Sequence, residues 1–217
     1  MKIETLEVPR TEIRDEHESP VELIAVPDVG ADERWVWHRH WEVLPGYRRV
    51  AIDTQRPALL HEWVPAIDRA LPRTGEPVVV VGHGLGAIAL AWWASLMWRT
   101  PNRRRPRLIG ALLVSPPDVD DVDGNPGLRD FRPLPQGRLP FRSILVASRN
   151  DPTARFDRAA EMAKIWGSEL VDSGEQGHHD GRSRLGEWVS GLSLLARLMD
   201  REPGRLVAEF GLRTVLR

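Results

Sequence analysis

Residues Val78–Ala94 read "VVVVGHGLGAIALAWWA", and how this stretch is parsed decides the fold. Four consecutive valines suit a strand that is covered on both faces. The run from Leu85 is apolar all round, as in a buried helix. Gly-His-Gly-Leu-Gly lies between them with too few residues for a loop, so strand, sharp turn and helix follow directly.

The same rhythm extends outward. Val21–Pro27, Arg48–Asp53, Pro77–Gly82, Arg107–Pro117, Ser143–Asp151 and Ser168–Gly174 read as six strands, most of them near-continuous apolar runs. Helical spacing predicts helices in "ALLHEWVPAIDRAL", where Pro65 marks a kink or the helix start, and in "LGAIALAWWASLMW". Two more follow in "TARFDRAAEMAKIWG", with Gly167 as C-cap, and "RSRLGEWVSGLSLLARLMD". Strand–helix alternation of this kind predicts an α/β protein, a parallel sheet with helices on both faces. Residues 1–20 read as an N-terminal extension, 21–200 as the domain and 201–217 as a C-terminal tail. In the tail, Leu206, Val207 and Phe210 share a helical face, predicting docking on the domain or across a homodimer. The long segment Asp118–Pro140, with many Asp, Gly and Pro, reads as a solvated loop whose acidic spacing does not fit a calcium loop.

The 217 residues carry a formal charge of -1 and no cysteine. Charge balance gives no footprint for nucleic acid, and disulfide and thiolate chemistry are excluded. The basic cluster Arg99–Arg107 reads as a solvated loop. No apolar run reaches membrane-spanning length and the N-terminus lacks a signal-peptide core, which predicts a cytoplasmic protein without a membrane partner.

Esterases carry Gly-x-Ser-x-Gly at such a strand–helix turn, the serine being the nucleophile. Here Gly82 and Gly86 take the flanking places and Gly84 the central one. "ASRNDP" puts Asp151 just after the fifth strand, and "EQGHHDG" puts His178 just after the sixth. Nucleophile position, acid and histidine thus follow in the α/β-hydrolase order, each at the carboxyl end of a strand.

With these residues the chain from Val21 to Leu198 resembles the small serine hydrolases of the retinoblastoma-binding-protein type. The resemblance is carried by "VVVVGHGLGAIALAWWA", "LLVSPPDV", "VASRNDPTARFDRAAEMAKIWGSELVDSGEQGH" and "LGEWVSGLSLLARL". It implies a minimal six-stranded α/β-hydrolase fold with strand order 2-1-3-4-5-6, and Asp151 and His178 as retained acid and base. It also implies that Gly84 replaces the serine, so that no acyl-enzyme forms. An oxyanion hole is expected from the Leu85 amide and the loop after the first strand, at Asp28 and Val29. An ionised Asp28 there repels developing negative charge. Trp35, Trp37 and His83 are expected near the cleft, with Trp35, Trp37 and Trp41 walling it or packing on the sheet and His83 packing at the turn.

Other chemistries fit less well. His38 and His40 lie two apart without a third ligand, so no metal site is expected. "GHGLGA" satisfies Gly-x-Gly-x-x-Gly/Ala, but it follows the third strand and lacks the acidic residue a dinucleotide site places about 20 residues on. No cofactor is therefore expected. The leading expectation is a hydrolytically inert or impaired homologue with a binding or regulatory role. The alternatives are a lyase, isomerase or cyclase using the His178–Asp151 dyad as acid/base, and an engineered glycine variant of an active esterase.

Overall fold

The computed structural model describes residues 21–30 and 37–201, apart from residues 74, 99, 102, 103 and 122. The N-terminal extension, Trp35 and the tail from Glu202 onward lie outside the described residues.

Six strands form one parallel sheet: β1 (Glu22–Val26), β2 (Tyr47–Arg49), β3 (Pro77–His83), β4 (Arg107–Val114), β5 (Ser143–Ala147) and β6 (Glu169–Asp172). Their spatial order is β2-β1-β3-β4-β5-β6, and every neighbouring pair is parallel. Among the described residues, α1 (Trp37–Trp41), α2 (Leu60–Ala70), α3 (Leu85–Met97) and α4 (Phe156–Trp166) lie between strands, and α5 (Val189–Leu198) follows β6.

The period-two geometry of a strand divides the apolar residues between two cores. Val78 and Val80 of β3 face α2, α3 and α4, packing with Trp63, Ile67, Ile88 and Met162. Val79 and Val81 face the opposite side, where α1 and α5 supply Trp37, Trp41, Leu192 and Leu195. Both faces of β3 are therefore covered, which is why its valines run without alternation. All seven of its residues are buried.

Several local expectations change. The second strand spans only Tyr47–Arg49, because it lies at the sheet edge and pairs with β1 alone. Pro65 sits inside α2 rather than at its start. The last helix begins at Val189, not near Arg182. Trp188 precedes it with a left-handed backbone, and a short 3-10 turn occupies Gly181–Ser183. Gly167 ends α4 at φ 67°, the left-handed C-cap read from the sequence.

The Asp118–Pro140 segment is tied down. Its 3-10 turn, Pro126–Phe131, starts at Asn125, whose side chain accepts from the Gly127 N–H. Arg158 of α4 bonds Asp118 at 3.1 Å and Asp120 at 2.8 Å, and the Leu134 N–H donates to Asp120. Arg158→Ala is expected to loosen this segment and cost about 1–2 kcal/mol, since it leaves two carboxylates without their shared guanidinium. At about 2–4 °C per kcal/mol for a domain of this size, the melting temperature falls by about 2–8 °C with the far-ultraviolet spectrum unchanged.

Candidate functional site

The turn between β3 and α3 is tight for a steric reason. A Cβ on Gly82 would come within 2.8 Å of Ala87 Cα, and one on Gly86 within 2.4 Å of the Val26 carbonyl oxygen. Both positions accept only glycine without movement of the backbone. Gly84, between them, has φ 53° and ψ -124° and starts α3. Its N–H donates to the Val114 carbonyl of β4 at 2.9 Å.

The loop following β1 crosses in front of this turn and brings Asp28 to it. The Asp28 Oδ1 accepts from the Leu85 N–H at 2.7 Å, and Oδ2 lies 3.0 Å from His178 Nε2. On the far side of the imidazole, His178 Nδ1 lies 3.0 Å from both oxygens of Asp151. Thr153 supports that end: its N–H and its hydroxyl both donate to Asp151 Oδ1 at 2.8 Å. The result is a continuous row, Leu85 amide, Asp28, His178, Asp151 and Thr153, with one imidazole between two carboxylates.

The space in front of Gly84 is filled by Asp28. A Cβ built on Gly84 would lie 2.1 Å from Asp28 Cγ and 2.3 and 2.4 Å from its oxygens. Asp28 was expected in the loop beside the Leu85 amide, and it is there. What the sequence did not show is that its carboxylate also occupies the volume of a side chain at position 84.

The electrostatics follow from this row. Burial opposes the charge on His178, but hydrogen bonds to Asp151 and Asp28 and the charges of both outweigh it, raising the imidazole to about 10. Burial likewise pushes Asp28 and Asp151 up, yet the His178 hydrogen bond and charge overcome it and hold both below 3.8. At neutral pH the site is a carboxylate–imidazolium–carboxylate triplet. Burial keeps His83 below its ordinary value, against the pull of Asp28. Burial also lowers the neighbouring His179 to about 4.

His179 takes no part in the row. Its Nδ1 bonds the buried Ser115 hydroxyl at 2.9 Å, a pairing the sequence reading missed. Trp37 packs on the sheet with Val79 and Val81, and His83 packs at the turn; both are buried behind the loop that carries His178, each 1% exposed. Trp37 donates its indole N–H to the His179 carbonyl, and His83 Nε2 bonds the His178 carbonyl at 2.9 Å. Trp41 donates to the Glu187 carbonyl further along the same loop. These aromatics clamp the histidine loop from below. An indole that is buried needs an acceptor, and here the acceptors are that loop's carbonyls. His38 is buried whereas His40 is exposed at the cleft, so the two do not converge.

Asp28 and His178 form part of the floor of a cleft of about 1330 Å³, bordered also by Val29, Leu128, Pro152 and Arg182. Among the described residues, Asp28, His83 and His178 also offer nitrogen and oxygen atoms within 4.8 Å of one another. The 3.0 Å between His178 and Asp28 is a direct hydrogen bond. Two ligands of a tetrahedral zinc, each at about 2.0–2.1 Å, would stand about 3.3 Å apart. The group reads as a proton-bridged network.

A model of the serine hydrolase family matches residues 23–197. The chain belongs to the serine hydrolase family. This family member is similar to a YdeN-like hydrolase from Pectobacterium atrosepticum, with 30% identity, a TM-score of 0.69, and 86% of this chain and 92% of that one covered. The ydeN gene product of Bacillus subtilis shares the fold at 15% identity and a TM-score of 0.61, over 84% of this chain and 100% of that one. So does mouse alpha/beta hydrolase domain-containing protein 10, at 11% identity and a TM-score of 0.59, over 84% and 90%. The six-stranded sheet is thus an α/β-hydrolase sheet. No curated protein matches the sequence. No helix among the described residues is long and apolar enough to cross a membrane.

Proposed function

We propose that this chain is a serine hydrolase family member that has lost serine-type acyl transfer and keeps its cleft for binding a small molecule. The observation that carries this reading is the placement of Asp28. Its carboxylate fills the volume that a serine at position 84 would need, and it accepts the Leu85 N–H that would otherwise face a developing oxyanion. Both parts of acyl transfer, nucleophile and oxyanion donor, are thereby taken by one side chain. Within the family, we propose the retinoblastoma-binding-protein type on the strength of the four sequence blocks.

The same geometry weighs between the alternatives. An engineered serine-to-glycine change implies a parent in which the serine Cβ overlaps Asp28, so paired change at both positions accounts better for the site. The acid/base reading has to begin from a protonated His178, which in this state can give a proton and cannot take one.

Two assays test the proposal. A fluorophosphonate probe is expected to leave the protein unlabelled, and p-nitrophenyl acetate is expected to turn over at no more than the residual 10³–10⁴ over solution, roughly, that binding and the remaining site groups give when a nucleophile is removed. Stoichiometric labelling, or esterase turnover at ordinary enzymatic rates, would overturn it.

A further inference from the structure

Asp28 reverses the polarity of the place it occupies. In an active hydrolase of this fold the turn after β3 offers N–H donors to an oxyanion. Here the cleft floor carries a carboxylate instead, on a residue that is 8% exposed. An ionised carboxyl group can accept at about four lone-pair positions. The Leu85 N–H, at 2.7 Å, uses one, and His178 Nε2, at 3.0 Å, uses another. The rest are open to a molecule that enters the cleft.

The floor is negative wherever its proton sits. Asp28 and Asp151 share a single imidazole, so at least one negative charge lacks a side-chain partner. The N-terminus of α3, which meets Asp28 through the Leu85 amide, offsets about half a charge. The loop after β4 adds to the excess. Asp118 and Asp121 line the cleft, and Asp118 shares the one guanidinium of Arg158 with Asp120 and Glu161. From the histidine loop, Arg182 is held by Asp180 at 2.6 Å, and Arg184 is exposed to water. Neither arginine is bonded to Asp28. A charge largely withdrawn from water and incompletely matched is costly, and a cation that brings its own donors relieves it.

We propose that the cleft binds a primary amine, with its ammonium group on the Asp28 carboxylate and its carbon skeleton along Val29, Pro117, Leu128 and Pro152. The proposal rests on the reading above, that the cleft survives as a binding site after acyl transfer is lost, and it names the class of molecule bound. An ammonium group has three N–H donors and no acceptor. It uses the open lone pairs of Asp28 and leaves the bonds to Leu85 and His178 in place. The Thr153 hydroxyl oxygen, also at the cleft, is a further acceptor. A carboxylate ligand would meet Asp28 as a like charge. A bare metal ion would make no use of the apolar border, whereas an amine engages both kinds of surface.

Calorimetric titration at neutral pH with three probes of one skeleton tests this: phenethylamine, phenethyl alcohol and hydrocinnamate. Hexylamine and hexanol repeat the comparison on a linear skeleton. A hydrogen bond to a charged group is stronger than a neutral one by enough that each amine should bind at least about 10-fold more tightly than its alcohol. Hydrocinnamate should bind more weakly than phenethyl alcohol. Asp28→Asn, which keeps the shape and removes the charge, should abolish the preference for the amine and leave the affinity for the alcohol unchanged. In the wild type, nuclear Overhauser contacts should run from the methylene beside the amine nitrogen to the His178 ring protons, and they locate the amine even if Asp28→Asn does not fold. Alcohol or hydrocinnamate binding as tightly as the amine overturns the proposal while leaving the cleft a binding site. Failure of both amines to bind at millimolar concentration, contacts elsewhere on the protein, or a preference that survives in Asp28→Asn overturns it too. The loss of acyl transfer is decided separately, by the fluorophosphonate probe and the nitrophenyl ester.

Discussion

Gly84→Ser, made alone, is expected to yield a less stable protein that is still inactive on esters. The new Cβ would lie 2.1 Å from Asp28 Cγ, far inside contact distance. A non-glycine residue at φ 53° adds backbone strain of about 1–3 kcal/mol. Overpacking adds a similar amount, about 1–3 kcal/mol. Together they amount to about 2–6 kcal/mol, which lowers the melting temperature by about 4–24 °C. Expelling Asp28 from its place to relieve the clash would break its bonds to Leu85 and His178. Adding Asp28→Gly should remove the overlap, free the Leu85 amide and let fluorophosphonate labelling appear. An oxyanion donor alone accounts for about 10²–10³ in rate, so labelling of the double variant should exceed that of the single one by at least about 100-fold. Thermal melts of both variants and a labelling time course check the result. Full esterase activity in the single variant would contradict it.

His178→Gln should have an effect of similar size, and its dependence on pH is the sharper part. Removing the imidazolium leaves Asp28 and Asp151 buried without their shared cation. Losing one partner of a buried ion pair costs about 3–5 kcal/mol, or about 6–20 °C in melting temperature. His178 binds its proton more tightly folded than unfolded. Its stabilisation is therefore complete below the ordinary imidazole value of 6.5 and fades as pH rises through about 10. Asp28 and Asp151 are lowered, so their contribution is present above 3.8 and is lost as pH falls further. The groups facing His178 are Asp28 from the loop after β1, Asp151 after β5, His83 at the turn, and His179 and Asp180 on its own loop. Of these, none is placed to reverse the trend between pH 6.5 and 10. The gap in melting temperature between wild type and His178→Gln should be widest near pH 6 and narrow steadily toward pH 10. A gap that widens with pH would show that His178 is not the shared cation.

How far the sequence reached can be judged from particular residues. The four valines and the apolar run after Leu85 specified a strand and a helix buried on all sides. The structure buries every residue of that strand and divides its valines between two cores. Asp151 and His178 were legible because each lies in the loop that follows a strand, β5 and β6 respectively, and strand ends in a parallel sheet converge on one edge. Gly82 and Gly86 were legible for steric reasons that hold in any strand–turn–helix junction of this kind. By contrast, the start of α5 was not, because helical spacing from Arg182 onward continues through residues that a left-handed Trp188 separates from the helix. Whether Trp37 walls the cleft or packs on the sheet was open in the sequence; its indole nitrogen and His83 Nε2 face the carbonyls of the histidine loop. Which carbonyl meets an indole depends on how α1 packs beneath that loop, 142 residues away in the chain for Trp37.

Sequence by itself determined the sheet, its helices, and the absence of a side chain at position 84, because these depend on local apolar patterning and on residue identity. Only the tertiary structure decided that Asp28 fills the space this absence leaves. Asp28 lies 57 residues from Leu85 and 150 from His178, and its contacts with both depend on the parallel pairing of β1 with β3. Its protonation partner is equally non-local. A carboxylate becomes a plug or a counter-ion according to what surrounds it, and here those surroundings come from separate strand ends.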